Sequence, residues 1–249
     1  MDSNPLAKKL GIFVDLQPGD LAVIARWSAD RSELPARHVF IRQGDRPRAT
    51  CLMIEGWAYR YKTIKSGKRQ VLGFLMPGDM CDPHAFILGK ADHDIAMLTD
   101  AVVAAICKED ILAAVETHPR LTSALWWTTL VDEGIARAWL VNLGQRSAIA
   151  KIASLFCELW HRAKLIGLVH ADAFALPVTQ EQLGEAVGLT SVHVNRTLRD
   201  LRDLKLVEFR SKQVVISNIG QLMELADFDP TYLQLQRRAD IPARQSLAS

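Results

Sequence analysis

Between residues 33 and 105 the apolar positions come in short runs broken at regular intervals by turn formers. Extended segments are expected at 38–42, 51–55, 57–64, 69–75 and 101–106, rich in Val, Ile, Leu and aromatic side chains. Gly44-Asp45, Ser66-Gly67 and Pro77-Gly78-Asp79 lie between them. Gly reaches positive φ cheaply, Asp bonds its own backbone and Pro pre-sets a turn, so these are chain reversals. Many short strands joined by such turns predict an antiparallel barrel or sandwich.

Beyond Lys108 the period changes. Residues 119–143 contain one Gly and no internal Pro, with apolar side chains at Leu121, Leu125, Val131, Ile135, Ala138 and Val141, which suits a helix. Trp126, Trp127, Leu130, Trp139 and Leu140 widen the stripe past one face. A helix apolar on two sides packs on two partners. One is the barrel and the other is expected to be the same helix of a second subunit; full burial within one chain is the alternative. A second helix is expected over 146–164, with a hinge at Leu143-Gly144-Gln145, because glycine weakens a helix by about 1 kcal/mol. The chain thus divides into 1–118, a connecting helix 119–144, 145–233 and a polar tail 234–249.

The most specific text lies at 176–216. Thr179 with Gln182 three residues on forms a capping-box pattern. A short helix would end at Gly188, and Thr190 offers a new N-cap. In the next helix Val194, Leu198 and Leu201 fall at i, i+4 and i+7 and would brace it from behind. Ser191, Val192, Asn195, Arg196 and Arg199 are left pointing outward. This is the layout of a recognition helix in a DNA major groove. Arg196 can donate twice to guanine, Asn195 can pair with adenine and Val192 can touch a thymine methyl, with Ser191 beside them. Thr179, Gln180, Thr190, His193, Arg199 and Lys212 suit phosphate oxygens. Two short strands, 206–209 and 213–216, flank Arg210-Ser211-Lys212 as a basic-tipped wing.

Composition narrows the field further. With 249 residues, 49% hydrophobic and 23% charged, the chain is globular and fits two domains. Its longest apolar run, 101–107, falls far short of the roughly 20 residues of a membrane span. The start of the chain has no apolar signal core, so a cytoplasmic location is expected. Net charge is only +2, and residues 146–212 hold ten basic against seven acidic side chains, so an anionic partner must be met by a local patch. Cys51, Cys81, Cys107 and Cys157 are widely spaced with no CxxC pair, so reduced thiols and no structural metal are expected. Catalytic signatures are missing: no GxGxxG, HExxH or GxSxG occurs, and Gly73 and Gly78, spaced as in a phosphate loop, are followed by Asp79-Met80 in place of Lys-Ser/Thr. An enzyme is not expected. The remaining rival is a protein-interaction module built on an empty barrel.

The ordered set of Gly44-Asp45, Pro77-Gly78-Asp79, the long helix and VTQEQLGEAVGLTSVHVNRTLRDLRDLKLV resembles the bacterial Crp/Fnr superfamily of transcription regulators over roughly residues 10–233. The resemblance implies an α+β chain: a cyclic-nucleotide-binding-like antiparallel β-roll (jelly-roll) sensor, a dimerisation helix at 119–143 and a winged helix-turn-helix. Such a chain reads palindromic double-stranded DNA as a homodimer, with RNA polymerase a further partner of those members that activate. Cyclic-AMP binders of the family carry Gly-Glu-Leu after the Pro-Gly-Asp turn and then an Arg-Ser pair. Here Cys81-Asp82-Pro83-His84 and the arginine-free ADHDI at 91–95 stand instead. A phosphate facing Asp82, Asp92 and Asp94 would be repelled, so cyclic AMP is not expected to bind in the usual way. Iron–sulfur relatives use clustered N-terminal cysteines, and the first one here is Cys51, which argues against that cluster. Haem on His84, His93 or Cys81 is a minor alternative, since lone His and Cys are more often structural. Cys81, Asp82, His84, His93 and Asp94 together are the candidate effector pocket, or else a polar loop over a nucleotide pocket. Arg196 keeps the position of the family's base-reading arginine, whereas Ser191-Val192 departs from it, so the half-site should be related to the familiar ones but different.

Overall fold

The computed structural model describes residues 4–47, 49–82 and 89–235. Two short helices, α1 (Pro5–Leu10) and α2 (Pro18–Trp27), precede a β-roll. Its strands are β1 (Arg31–Leu34), β2 (Val39–Ile41), β3 (Ala49–Glu55), β4 (Ala58–Thr63), β5 (Arg69–Leu75), β6 (Met80–Cys81), β7 (Asp94–Met97) and β8 (Ala101–Cys107). They form two four-stranded sheets, ordered β1-β8-β3-β6 and β2-β7-β4-β5, and all pairings are antiparallel.

The two unbroken apolar strands have a simple cause. Side chains on a strand alternate between faces, and both faces of the first sheet are covered. Leu52, Ile54, Ala104 and Ile106 pack against Leu6, Leu10, Ile24 and Trp27 of the N-terminal helices. Their neighbours Cys51, Met53, Ala101 and Val103 fill the interior of the roll with Leu75, Ile95 and Met97. Strand β1, by contrast, is an exposed polar edge.

Helix α3 (Lys108–Thr117) leads into the long α4 (Pro119–Gln145), started by Pro119 at its first turn. The expected break at Leu143-Gly144-Gln145 does not occur. Gly144 stays helical, and the chain turns extended only at Arg146 (φ −83°, ψ 151°), where Ser147 caps α5 (Ala148–Leu165) through the Ala150 amide. A single glycine costs less than the continuous contacts of α4 return; the cap at Ser147 sets the end.

The C-terminal part comprises α5, β9 (Ala173–Ala175), α6 (Gln180–Val187), α7 (Ser191–Asp203), β10 (Val207–Arg210), β11 (Gln213–Ile216), α8 (Ile219–Ala226) and a 3-10 turn at Pro230–Leu233. Its sheet, ordered β10-β11-β9, has a third strand the sequence pattern did not mark. One apolar core runs from the roll (Tyr59, Val71, Phe74) through α4 (Val131, Ile135, Trp139) into α5 and α6 (Phe156, Leu159, Leu183).

Buried charge ties these layers together. Asp79, in the Pro77-Gly78-Asp79 turn, accepts from Lys9 Nζ at 2.7 Å and from Arg162 Nη2 of α5 at 2.8 Å. Burial alone would push the Asp79 carboxyl up, but the two cations outweigh it and bring it down to about 2. Glu158 is also buried; it accepts from Arg162 (3.2 Å), the Trp139 indole of α4 (2.9 Å) and Tyr232 Oη (3.1 Å). At the start of β5, whose Phe74 carbonyl near its end accepts from Arg162, Arg69 pairs with Glu185 of α6 at 2.9 Å and Gln70 donates to the Glu185 carbonyl at 2.6 Å.

Candidate nucleic-acid interface

The helix-turn-helix is built by caps at each junction. Thr179 Oγ1 accepts from the Gln182 amide (3.1 Å) while Gln182 Oε1 accepts from the Thr179 amide (2.9 Å). Gly188 ends α6 in the left-handed region (φ +67°), and the Leu189 amide donates back to the Gly184 carbonyl at 3.0 Å. Thr190 Oγ1 then accepts from the His193 amide at 3.3 Å to start α7. The turn is tight enough that a Cβ on Gly184 would lie 2.4 Å from the Leu189 carbonyl oxygen. Gly184 is therefore as necessary to the turn as Gly188, and the reading by caps alone passed over it.

Behind α7, Val194 and Leu201 are fully buried and Leu198 is half-buried, as the spacing predicts; Thr197, also buried, completes the bracing face. In front, Ser191, Val192, His193, Asn195, Arg196 and Arg199 are exposed, and Val192, an apolar side chain, is 79% exposed. Thr179 and Gln180 are both exposed: Thr179 is the N-cap of α6, and Gln180, at its first position, accepts from Asn195 Nδ2 at 3.4 Å. Thr190 Oγ1 also lies 3.2 Å from His193 Nδ1. The wing tip is a two-residue turn, Ser211 and Lys212, both at positive φ, between the paired residues Arg210 and Gln213. Lys212 is exposed there. The outward face of α7 thus joins two guanidinium groups, one amide and one aliphatic side chain.

The candidate effector pocket is only partly assembled. Asp82 is buried; Arg60 Nε lies 3.0 Å from its Oδ1 and His93 Nε2 3.0 Å from its Oδ2. His93 Nδ1 meets Asp92 at 2.7 Å. Burial pulls the His93 imidazole down, but hydrogen bonding and charge from Asp82, then Asp92, outweigh it and raise its proton affinity above the ordinary value. Two expected members lie elsewhere. Cys81 sits in the apolar interior opposite Cys51, where its contact with that thiol and its burial push its own thiol up. It stays protonated and is a poor metal ligand. The Asp94 carboxylate faces the neighbouring turn, accepting from the Gln43 amide at 3.1 Å. His84 lies outside the described residues. The sequence reading missed Arg60, which also lies 3.7 Å from Asp132 of α4. Among the described residues no group of three or more His, Cys, Asp or Glu is placed to hold a metal, and no helix is long and apolar enough to cross a membrane.

Comparison with known proteins agrees with this architecture. Residues 31–118 match the model of the cyclic nucleotide-binding domain and residues 150–225 that of the Crp-like helix-turn-helix domain. The chain is 26% identical over 198 residues to the transcriptional activator protein FnrL of Cereibacter sphaeroides, covering 78% of this chain and 79% of FnrL. It is 29% identical over 150 residues to the nitrogen fixation regulation protein FixK of Bradyrhizobium diazoefficiens, covering 60% and 62%. Among solved structures, FixK2 from Bradyrhizobium japonicum superposes with a TM-score of 0.70 at 22% identity, over 78% of this chain and 96% of FixK2. The regulator CLP of Xanthomonas campestris superposes with a TM-score of 0.64 at 20% identity, over 80% and 100%. Regulators, not enzymes, are what the chain is similar to, and with a cyclic-nucleotide-binding-type roll, a long connecting helix and a Crp-like helix-turn-helix in this order it belongs to the Crp/Fnr superfamily of transcription regulators.

Proposed function

We propose that the protein is a homodimeric, sequence-specific regulator that reads a twofold-symmetric DNA site through α7, with residues 1–118 as sensor, 119–144 as dimer-forming helix and 145–233 as DNA-binding domain. The observation that carries this reading is the two-sided chemistry of α7: a back of Val194, Thr197 and Leu201 buried in the domain, and a front of Ser191, Val192, Asn195 and Arg196 left to solvent. Val192, 79% exposed at the start of α7, is available to touch a thymine methyl. Thr179, Gln180, Thr190, His193, Arg199 and Lys212, all exposed, ring this front and suit phosphate positioning. If the bound dimer activates, RNA polymerase is its second macromolecular partner.

The signal is proposed to be something other than cyclic AMP bound in the usual manner. A phosphodiester needs an uncommitted cation, and Arg60, which lies against Asp82 among the described residues, already neutralises it and lies beside Asp132. A carboxylate at Asp82 opposes a second anion. Isothermal titration with cyclic AMP should show no saturable heat, and micromolar affinity would refute this part.

The DNA reading is tested by selecting bound sequences from a random pool and measuring variants on the selected site. Arg196→Ala should cost about 1–3 kcal/mol and relax preference at one base position per half-site. Equal loss on selected and random DNA would remove Arg196 from base reading.

A further inference from the structure

The outer face of α4 carries a repeat distinct from the one that packs on the roll. Ser123, Trp126, Leu130, Glu133, Arg137, Leu140 and Gly144 are all exposed, and they follow one another at intervals of three and four, alternating without a break over three heptads. The opposite face, Leu121, Leu125, Val131, Ile135 and Trp139, is buried within the protomer. Trp126 and Leu140 are each 70% exposed, and Val141 flanks Leu140 on the same side. Trp126, Leu130 and Leu140 are the apolar members of this series, and their spacing places them on the positions through which a helix faces another in a left-handed supercoil. The seam is apolar towards both ends and ionic at its centre, where Glu133 and Arg137 form an i,i+4 pair with side chains 61% and 62% exposed.

We infer that this seam pairs with a second copy of the chain in parallel, and that Glu133 and Arg137 form a self-complementary ionic layer at its centre which fixes the register and selects an identical partner. The inference rests on the dimeric reading above and deepens it. Parallel pairing follows from the chain order: α4 leads directly into the DNA-binding part, and two recognition helices reach one duplex only if both copies carry theirs at the same end. In that arrangement Glu133 and Arg137 occupy consecutive layers, so each carboxylate lies diagonal to the partner's guanidinium as well as next to its own. Only when the helices are in register do all four charges adjoin one another. A shift by one heptad would set Glu133 against Leu140 and Arg137 against Leu130, leaving charges opposite aliphatic side chains. Polar residues at seam positions are used in this way to specify register and partner at some cost in stability.

Charge reversal separates this role from a local contribution to the helix. Glu133→Arg places four positive charges in the layer and Arg137→Glu four negative ones, so each variant alone should dimerise at least roughly tenfold more weakly than wild type in sedimentation equilibrium. Mixed together, the two variants should form heterodimers in preference to either homodimer, and the double variant Glu133→Arg/Arg137→Glu should recover the wild-type dissociation constant. Both positions are exposed in the protomer, so thermal melting by circular dichroism should show each variant folded. A wild-type dimer whose affinity is untouched by either reversal, or a mixture that shows no heterodimer preference, would overturn the ionic layer and leave the dimer standing. A wild-type chain that stays monomeric while binding its DNA site would remove the dimeric reading itself.

Discussion

His93 shows how one side chain can report on the β-roll. It lies between Asp82 and Asp92, with Arg60 beyond Asp82, and its proton affinity is raised because the two carboxylates outweigh burial and the repulsion of Arg60. A histidine that binds its proton more tightly when folded stabilises the fold fully below its unfolded value of about 6.5, and that contribution is lost as pH rises through the higher folded value. Wild type should therefore lose more stability than His93→Gln as pH is raised from below about 6.5 through the higher folded value, read as the change in urea midpoint. An identical change in both proteins would show that the imidazole does not gain its proton on folding. Gly184 makes a different point at the same scale. Its missing side chain leaves room for the Leu189 carbonyl, so Gly184→Ala forces backbone apart at the turn.

At the scale of elements, the legible parts are those whose signals are local. α6, the turn and α7 were readable because Thr179, Gln182, Gly188 and Thr190 each act within a few residues, and the long helix because its period is sustained. The strands β6 and β7 escaped because two and four residues are too few to show alternation, and β1 because it is a polar edge. Long-range partners were not legible. Arg162 and Asp79 are 83 residues apart, and nothing in the spacing of an arginine on a helix names the turn it will meet. That contact joins the β-roll to α5 of the helix-turn-helix part, and its energetics are testable. Asp79→Asn would leave Arg162 and Lys9 buried against a neutral amide, and removing one partner of a buried ion pair costs about 3–5 kcal/mol. Urea unfolding should show this loss. Because the folded Asp79 carboxyl lies at about 2, below its ordinary 3.8, its stabilisation is present above that ordinary value and disappears as pH falls from about 4 towards 2. Wild type and Asp79→Asn should therefore converge in stability in acid; a constant gap would place the cost of the substitution in packing instead.

For the whole molecule, the proposed twofold symmetry would change the arithmetic of DNA binding. Each phosphate contact displaces condensed counterions, and log K falls against log salt with a slope of about −0.9 per neutralised phosphate. A cation on the wing of a single subunit would contribute once, whereas a homodimer on a twofold site counts every such residue twice. Lys212 is exposed at the wing tip, on the turn between β10 and β11, and makes no ion pair within the chain among the described contacts. Lys212→Ala should thus reduce the magnitude of the salt slope by about 1.8 on a complete site, and by about 0.9 on a half-site engaging one recognition helix. Selectivity between sequences should stay unchanged, because a phosphate contact positions the protein and carries no base information. The same titration on Arg196→Ala should show the converse: a loss concentrated on the selected sequence. If Lys212→Ala changed the slope equally on full and half sites, only one subunit would be engaging the duplex, and the symmetric arrangement of two recognition helices about 34 Å apart would have to be given up.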